Sequence, residues 1–318
     1  MRWGITSIRS MGDNAGYIKL LKDDIEHGSM KGPDIYFSAV VMGNEFFKKN
    51  RMRLLQMNSL DYKIGDAPWL RIIDDSTNYD SVISGAKDGG ATGIKLLSHI
   101  TPEQLSCIVR KAHLHGLKVW SHPHLVYTDT KGIAEAGVDL ITHASALLFP
   151  VEWELEKDGY VFNTSYLESG RTDSILAVVK ENGILLEPTF TVGLQELSKQ
   201  NVDSSTIVAN IEVLRRALNL GINLVAGTDL PLPQRMNDKP ILFEEIKYFI
   251  DLLGMKPSVA LATATINNAK AIGMQDKLGS IAPGKIADLV VLQKNPLENI
   301  ENLAHIHFVI KKGEIIIH

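Results

Sequence analysis

The chain has 318 residues, 45% hydrophobic and 22% charged, which places it among globular proteins large enough for one big core or two unequal ones. Its 33 basic and 37 acidic residues give a formal net charge of -4 and are spread along the sequence, so no basic stripe awaits a phosphate backbone and nucleic acid is not an expected partner. A single cysteine, Cys107, excludes an intrachain disulfide, no run of about 18 apolar residues offers a membrane span, and the N-terminus has no apolar stretch of signal-peptide type, so a cytoplasmic location is expected.

Short runs rich in β-branched residues alternate with longer amphipathic segments, the pattern of βα units around a parallel sheet. GITSIRS, from Gly4, is the first strand expected, followed by a helix from Asn14 to His27. DIYFSAVV and TGIKLLS come next. Thr101-Pro102 then supplies an N-cap and a first-turn proline to a helix that Gly116 stops, and Cys107 falls inside it as a buried apolar residue rather than a nucleophile. LKVWSHPH, DLITHAS, ILLEPTF and INLVAGTDL complete seven strands, with helices at Ser174 to Asn182, Ser204 to Leu220 and Phe243 to Leu253. Residues 1–273 are expected to form this α/β domain. Over 274–318 the texture changes to turns and strands, in which Ile310, Ile315 and Ile317 alternate with polar residues. A few such strands make no stable sheet alone, so they are expected to pack on the larger domain or on strands outside this sequence.

Candidate ligands of a metal fall at three successive strand ends: Lys95 in TGIKLL, His122 in KVWSHPH and His143 in LITHAS. The intervals of about 27 and 21 residues are each roughly one βα unit, and consecutive strand ends of a (β/α) barrel converge on one face. Asp229, in VAGTDLP, ends the last strand and joins the same rim. Two imidazoles and a carboxylate suit zinc, with manganese, iron or cobalt as alternatives. The plainer readings are a core or loop role for either histidine, a snorkelling Lys95, and an Asp229 that caps a turn. A lysine in an apolar strand is expensive to bury unpaired, so Lys95 needs a charge partner or a modification.

Together with AGVDLITHAS, VAGTDLP and the C-terminal NNAKAIGMQDKLGSIAPGKIADLVVL, these residues resemble the amidohydrolase superfamily, in its prolidase-like and imidazolonepropionase-like branch, over nearly the whole chain. The resemblance implies a (β/α)8 TIM-type barrel with a small β-sandwich domain, of which 274–318 would be a remnant. It also implies that Lys95 is carbamylated and bridges two metals, that His122 and His143 ligate the second ion and Asp229 the first. Carbamylation would replace a buried ammonium with an anionic oxygen ligand. One departure stands out. The family opens with a strand ending in His-x-His, whereas GITSIRSMGD resembles its second strand and His27, the only earlier histidine, belongs to a helix end. The first strand is thus expected to be missing, with the strand from Gly4 and the strand leading to Asp229 flanking the gap.

Other residues carry weaker signals. His124 would share a side with His122 in extended backbone and touch substrate, His99 lies in a βα loop, Thr189 ends a strand, and Tyr127 and Arg171 are candidates for a substrate carboxylate. His113 and His115 suit a helix C-terminus, and His305, His307 and His318 the surface of the β region. The resulting expectation is a metal-dependent hydrolase of amide, peptide or cyclic-amide C–N bonds, with a dipeptide as the best single substrate. Asp229 would serve as base, and His143 or His124 would steady an oxyanion. The competing expectations are an inactive, truncated relative or a subunit that needs strands from elsewhere, and a metal-free enzyme with Lys95 as a Schiff base. The sequence is compatible with a homo-oligomer.

Overall fold

The computed structural model describes residues 1–55, 57–59, 61–147, 170–199, 204–229 and 239–317. They fall into two compact units, one built on Ser7–Ile141 and the other on Met1–Thr6 and the chain from Thr142 onward.

The first unit is a parallel sheet with its helices. Its elements are β1 (Ser7–Ser10), α1 (Ala15–Glu26), β2 (Asp34–Gly43), α2 (Asn44–Leu55), β3 (Asp66–Ala67), β4 (Leu70–Ile73), α3 (Tyr79–Asp88), β5 (Gly93–Leu96), α4 (Pro102–Leu114), β6 (Lys118–Ser121), α5 (Thr130–Glu135) and the start of β7 (Leu140–Thr142). The strand order is β3-β4-β2-β5-β6-β7. β1 pairs with residues 34–37 of β2 and β4 with residues 40–43, so one long strand serves two short ones. Among the described residues β2 is the only strand partner of β1. Helix starts follow the expected chemistry. Asn14 accepts the Tyr17 N–H, Asn78 the Ser81 N–H, and Thr101 with Gln104 makes a reciprocal capping box, each such cap contributing about 1 kcal/mol. One face of the sheet packs Phe37, Val41, Ile94, Leu96 and Val119 into a buried core with Ile83, Leu105 and Ile108 of the helices. Strand β4, LRII, was not among the expected strands: only four residues long and carrying Arg71, it offers too little alternation to stand out.

The second unit holds α6 (Arg171–Glu181), β8 (Leu185–Glu187), α7 (Phe190–Lys199), α8 (Ser204–Asn219), α9 (Ile241–Asp251), α10 (Pro257–Ala264), α11 (Ile266–Ala271) and a three-stranded antiparallel sheet, β9 (Leu289–Leu292), β10 (Ile306–Lys311) and β11 (Glu314–Ile317), in the order β11-β10-β9. Ile310 pairs with Ile315 and Val309 with Ile317, the register shifting by a bulge between Val309 and Ile310. Two lysines secure the turn before this sheet: Lys285 Nζ donates to the Gln275 and Leu278 carbonyls, and the nearly buried Lys311 Nζ lies 2.5 Å from Asp288 Oδ2.

The expected strand INLVAGTDL is present only as an isolated parallel bridge between Leu186 and Leu224. Side chains and a helix carbonyl do the work of a ladder there. Asn267 Nδ2 donates to the Leu224 carbonyl at 2.8 Å, Asn268 Nδ2 to the Ala226 carbonyl at 2.9 Å, and the Ala226 N–H to the Thr263 carbonyl at 3.2 Å. The NNAKA run therefore has a physical reason in this chain: it satisfies backbone groups that no strand pairs. No helix among the described residues is long and apolar enough to cross a membrane.

Candidate functional site

In the first unit, register places the candidate residues. Val40, Lys95, Trp120 and Leu140 are cross-strand partners on β2, β5, β6 and β7, so their side chains share one face of the sheet. The His122 N–H continues the ladder onto the Leu96 carbonyl at 3.2 Å, which returns His122 to the same face two residues beyond Trp120. Lys95 is only 3% exposed. Gly93 clears space for the Trp120 ring, which an added Cβ would meet at 2.6 Å. Arg9, on the same face by its pairing with Tyr36, lays its guanidinium 4.9 Å from the centroid of that ring. Arg9 was legible only as one polar residue in an alternating strand.

Around the loops of this unit, His124 Nδ1 lies 3.5 Å from Thr130 Oγ1. His99 takes a left-handed conformation, φ 56°, its ring tilted on Phe46 and edge-to-face with the half-exposed Tyr127. Burial holds the His99 imidazole below its ordinary pKa. Gly43 makes this loop possible, since a Cβ there would come 1.9 Å from the His99 carbonyl oxygen. His113 is accounted for by Asp139, whose carboxylate also takes Lys118 and the Val119 N–H. His27 Nδ1 bonds the Asp23 carbonyl at the end of α1. His307 is exposed and His305 partly so, as expected of the β region, whereas His318 lies outside the described residues.

In the second unit the candidates stand on turns. His143, Thr189 and Asp229 each follow a strand or bridge and each has a positive φ, of 55°, 53° and 48°. Non-glycine residues in this region are uncommon, and such strain is characteristic of functional positions. His143 Nδ1 is 2.9 Å from Thr189 Oγ1, and its Nε2 is 3.5 Å from Asp229 Oδ2. One ring nitrogen is thus anchored while the other faces a carboxylate whose side chain is 46% exposed. Arg171 is the exposed first residue of α6, after a left-handed Gly170.

Two buried carboxylates lie behind this pair. Glu187, at the end of β8, is 3% exposed, and its Oε1 fills the space over Gly227, where an added Cβ would come within 2.0 Å. Glu245, from α9, is fully buried and accepts the Phe190 and Thr191 N–H groups at 2.9 and 2.8 Å. Burial pushes the Glu245 carboxyl up to about 7; the two N–H bonds pull it down and the Glu187 charge adds to the rise. Glu187 was visible as the acidic residue of an apolar strand; Glu245, in an ordinary amphipathic helix, gave no signal.

The donor chemistry suits a divalent cation in both units. An imidazole with one nitrogen anchored by a hydroxyl and the other beside a carboxylate is how ligands are oriented, and Lys95, only 3% exposed, is a charged side chain placed where burial demands a partner. Among the described residues no three His, Cys, Asp or Glu side chains form a metal-holding group.

A parallel α/β fold with polar residues at its strand ends defines the class of α/β enzymes that work from that rim. Within that class the chain belongs to the amidohydrolase family, which it matches over residues 1–316. It is 28% identical over 203 residues to a 5-methylthioadenosine/S-adenosylhomocysteine deaminase of Teredinibacter turnerae, covering 55% of this chain and 43% of that one. It is 25% identical over 325 residues to ochratoxinase of Aspergillus niger, covering 94% and 62%. A crystal structure of a Xaa-Pro dipeptidase with bound methionine superposes over 100% of this chain and 76% of its own, with a TM-score of 0.76 and 23% identity. The chain thus spans roughly half of the length of those two curated relatives, between 43% and 62%.

Proposed function

We propose that this chain carries the catalytic domain of a hydrolase of C–N bonds, of amide, peptide or cyclic-amide type, acting on a small substrate such as a dipeptide. The observation that carries the reading is the anchored His143 facing Asp229 at 3.5 Å. Family membership and the neighbouring Xaa-Pro dipeptidase and ochratoxinase folds support it. Lys95 as a carbamate, His122, His143 and Asp229 would hold a divalent cation, zinc first among the candidates. When bound, that ion lowers the pKa of water and polarises a carbonyl. Asp229, exposed enough to meet solvent and substrate, takes the proton of the attacking water at its carboxylate and delivers it to the leaving nitrogen. Thr189 keeps the His143 ring in one orientation during this transfer. His124 steadies the developing oxyanion, and Tyr127 and Arg171 receive a substrate carboxylate.

The test combines metal analysis with a substrate panel of Xaa-Pro dipeptides, N-acyl amino acids and cyclic amides. The expected result is hydrolysis that chelation abolishes and metal restores, with loss of bound metal in His122→Ala and His143→Ala. Unchanged metal content in both variants would overturn the ligand assignment. No turnover of any C–N substrate by metal-loaded protein would overturn the activity.

A further inference from the structure

Helix α7 begins in an unusual way. The residue before it, Thr189, has a side chain of the kind that normally caps a helix by accepting an N–H of the first turn, and such a cap needs an extended backbone. Thr189 is left-handed instead, and its hydroxyl is committed to His143. The N–H groups of Phe190 and Thr191 would then lack an intrahelical acceptor, as the first donors of any helix do. Glu245, reaching from α9, accepts both, one on each carboxylate oxygen. Phe190 is further clamped by edge-to-face packing on Tyr248 and Phe249, also of α9.

The Phe190 N–H belongs to the planar peptide that starts at the Thr189 carbonyl, so its direction is set by ψ of Thr189. The carbonyl end of the same peptide accepts the Gly193 N–H at 2.9 Å. Both ends of the unit are thus held, and Thr191 Oγ1 adds a 3.3 Å bond to the Thr228 carbonyl, one residue before Asp229. We propose that Glu245 is a positioning residue: by replacing the helix cap that Thr189 forgoes, it locks the left-handed Thr189 turn and so fixes the orientation of the His143 ring. The proposal rests on His143 being a functional residue, but its geometry is independent of which substrate is cleaved.

The experiment follows the His143 ring by 15N NMR in chelator-treated protein, with His143→Ala to assign the signal, alongside hydrogen exchange of the Phe190 and Thr191 amides. Wild-type protein is expected to show one fixed His143 tautomer and two protected amides. Thr189→Val removes the hydroxyl and should release the ring to tautomer exchange while leaving the amides protected. Glu245→Gln keeps the volume of the side chain but turns an NH2 toward one of the two N–H groups. It should speed exchange of at least one amide about tenfold and release the His143 ring as Thr189→Val does. If Glu245→Gln does not fold, Glu245→Asp, which draws the carboxylate back by one methylene, is read in the same way. Faster amide exchange with an unchanged His143 tautomer would make Glu245 a structural cap only and overturn the proposal. Because these signals need no substrate, a failure to find hydrolysis leaves this test intact.

Discussion

Lys95 and His122 stand on a regular ladder, whereas His143, Thr189 and Asp229 stand on three left-handed turns. In the first region a period of two and a fixed register decide which way a side chain points, and the neighbours need only be apolar and well packed. In the second, no ladder holds the backbone through Asp229, and backbone groups are held by individual polar side chains: Asn267, Asn268 and Glu245. A polar residue on a ladder is placed by strands formed for other reasons, while one on a turn requires residues dedicated to holding it. Mutation should therefore act differently on the two regions.

The largest effect is expected at the turns themselves. Asp229→Asn, nearly isosteric, should lower kcat by roughly 10² to 10⁴-fold through loss of the base while leaving thermal stability close to wild type. A fall confined to KM would argue that Asp229 only binds substrate. Next comes pH. Glu245 has its carboxyl raised to about 7 against an ordinary 4.5, so the folded state binds the proton more tightly than the unfolded one. Stability from this group is full below about pH 4.5 and declines to a lower plateau as pH rises through about 7, by about 3 kcal/mol. Denaturant unfolding at several pH values should show that slope, and Glu245→Gln should flatten it; an unchanged slope would mean that another group is responsible.

Gly227→Ala should cost about 1–3 kcal/mol, because the new methyl displaces the buried Glu187 carboxylate. A neutral result would show that Glu187 has room to withdraw. The smallest effect should lie on the ladder. Lys95→Met should change stability by no more than about 1 kcal/mol, since a methionine of similar length fills a buried site without a charge to desolvate. The same variant should lose turnover. A loss of several kcal/mol instead would mean that Lys95 is held for the fold as much as for chemistry.

The difference between the regions also explains what the sequence disclosed. The α/β class, six of seven expected strands and the helices expected after Asn14, Thr101, Ser174, Ser204 and Phe243 were legible because they depend on local rules: alternation, a Thr before a helix, a proline in its first turn. The helices over 44–55, 79–88, 130–135 and 190–199 were not foreseen. INLVAGTDL misled as a strand because its apolar alternation is real but its backbone pairs with β8 only around Leu186, and beyond that bridge its carbonyls are taken by the amides of Asn267 and Asn268, more than forty residues away. The candidate residues at strand ends were visible as types at intervals. Their support was not, since nothing in PILFEEIKYFI distinguishes Glu245, which is buried, from its neighbour Glu244, which is not. Arg9 was hidden similarly, for its contact with Trp120 joins strands that no local pattern connects.

The two asparagine clasps also impose a timetable. They reach back 43 and 42 residues to the segment that ends in Asp229. A ribosome adding roughly 5–20 residues per second leaves that segment waiting about two to eight seconds for the helix that secures it. Until Asn268 has emerged, the Leu224 and Ala226 carbonyls lack the partners they have in the folded chain, and a segment that sequence would rank among the most regular waits on residues made long after it. Competence in this chain is therefore a late arrival in biosynthesis, set by translation past the final helix rather than by completion of the sheet.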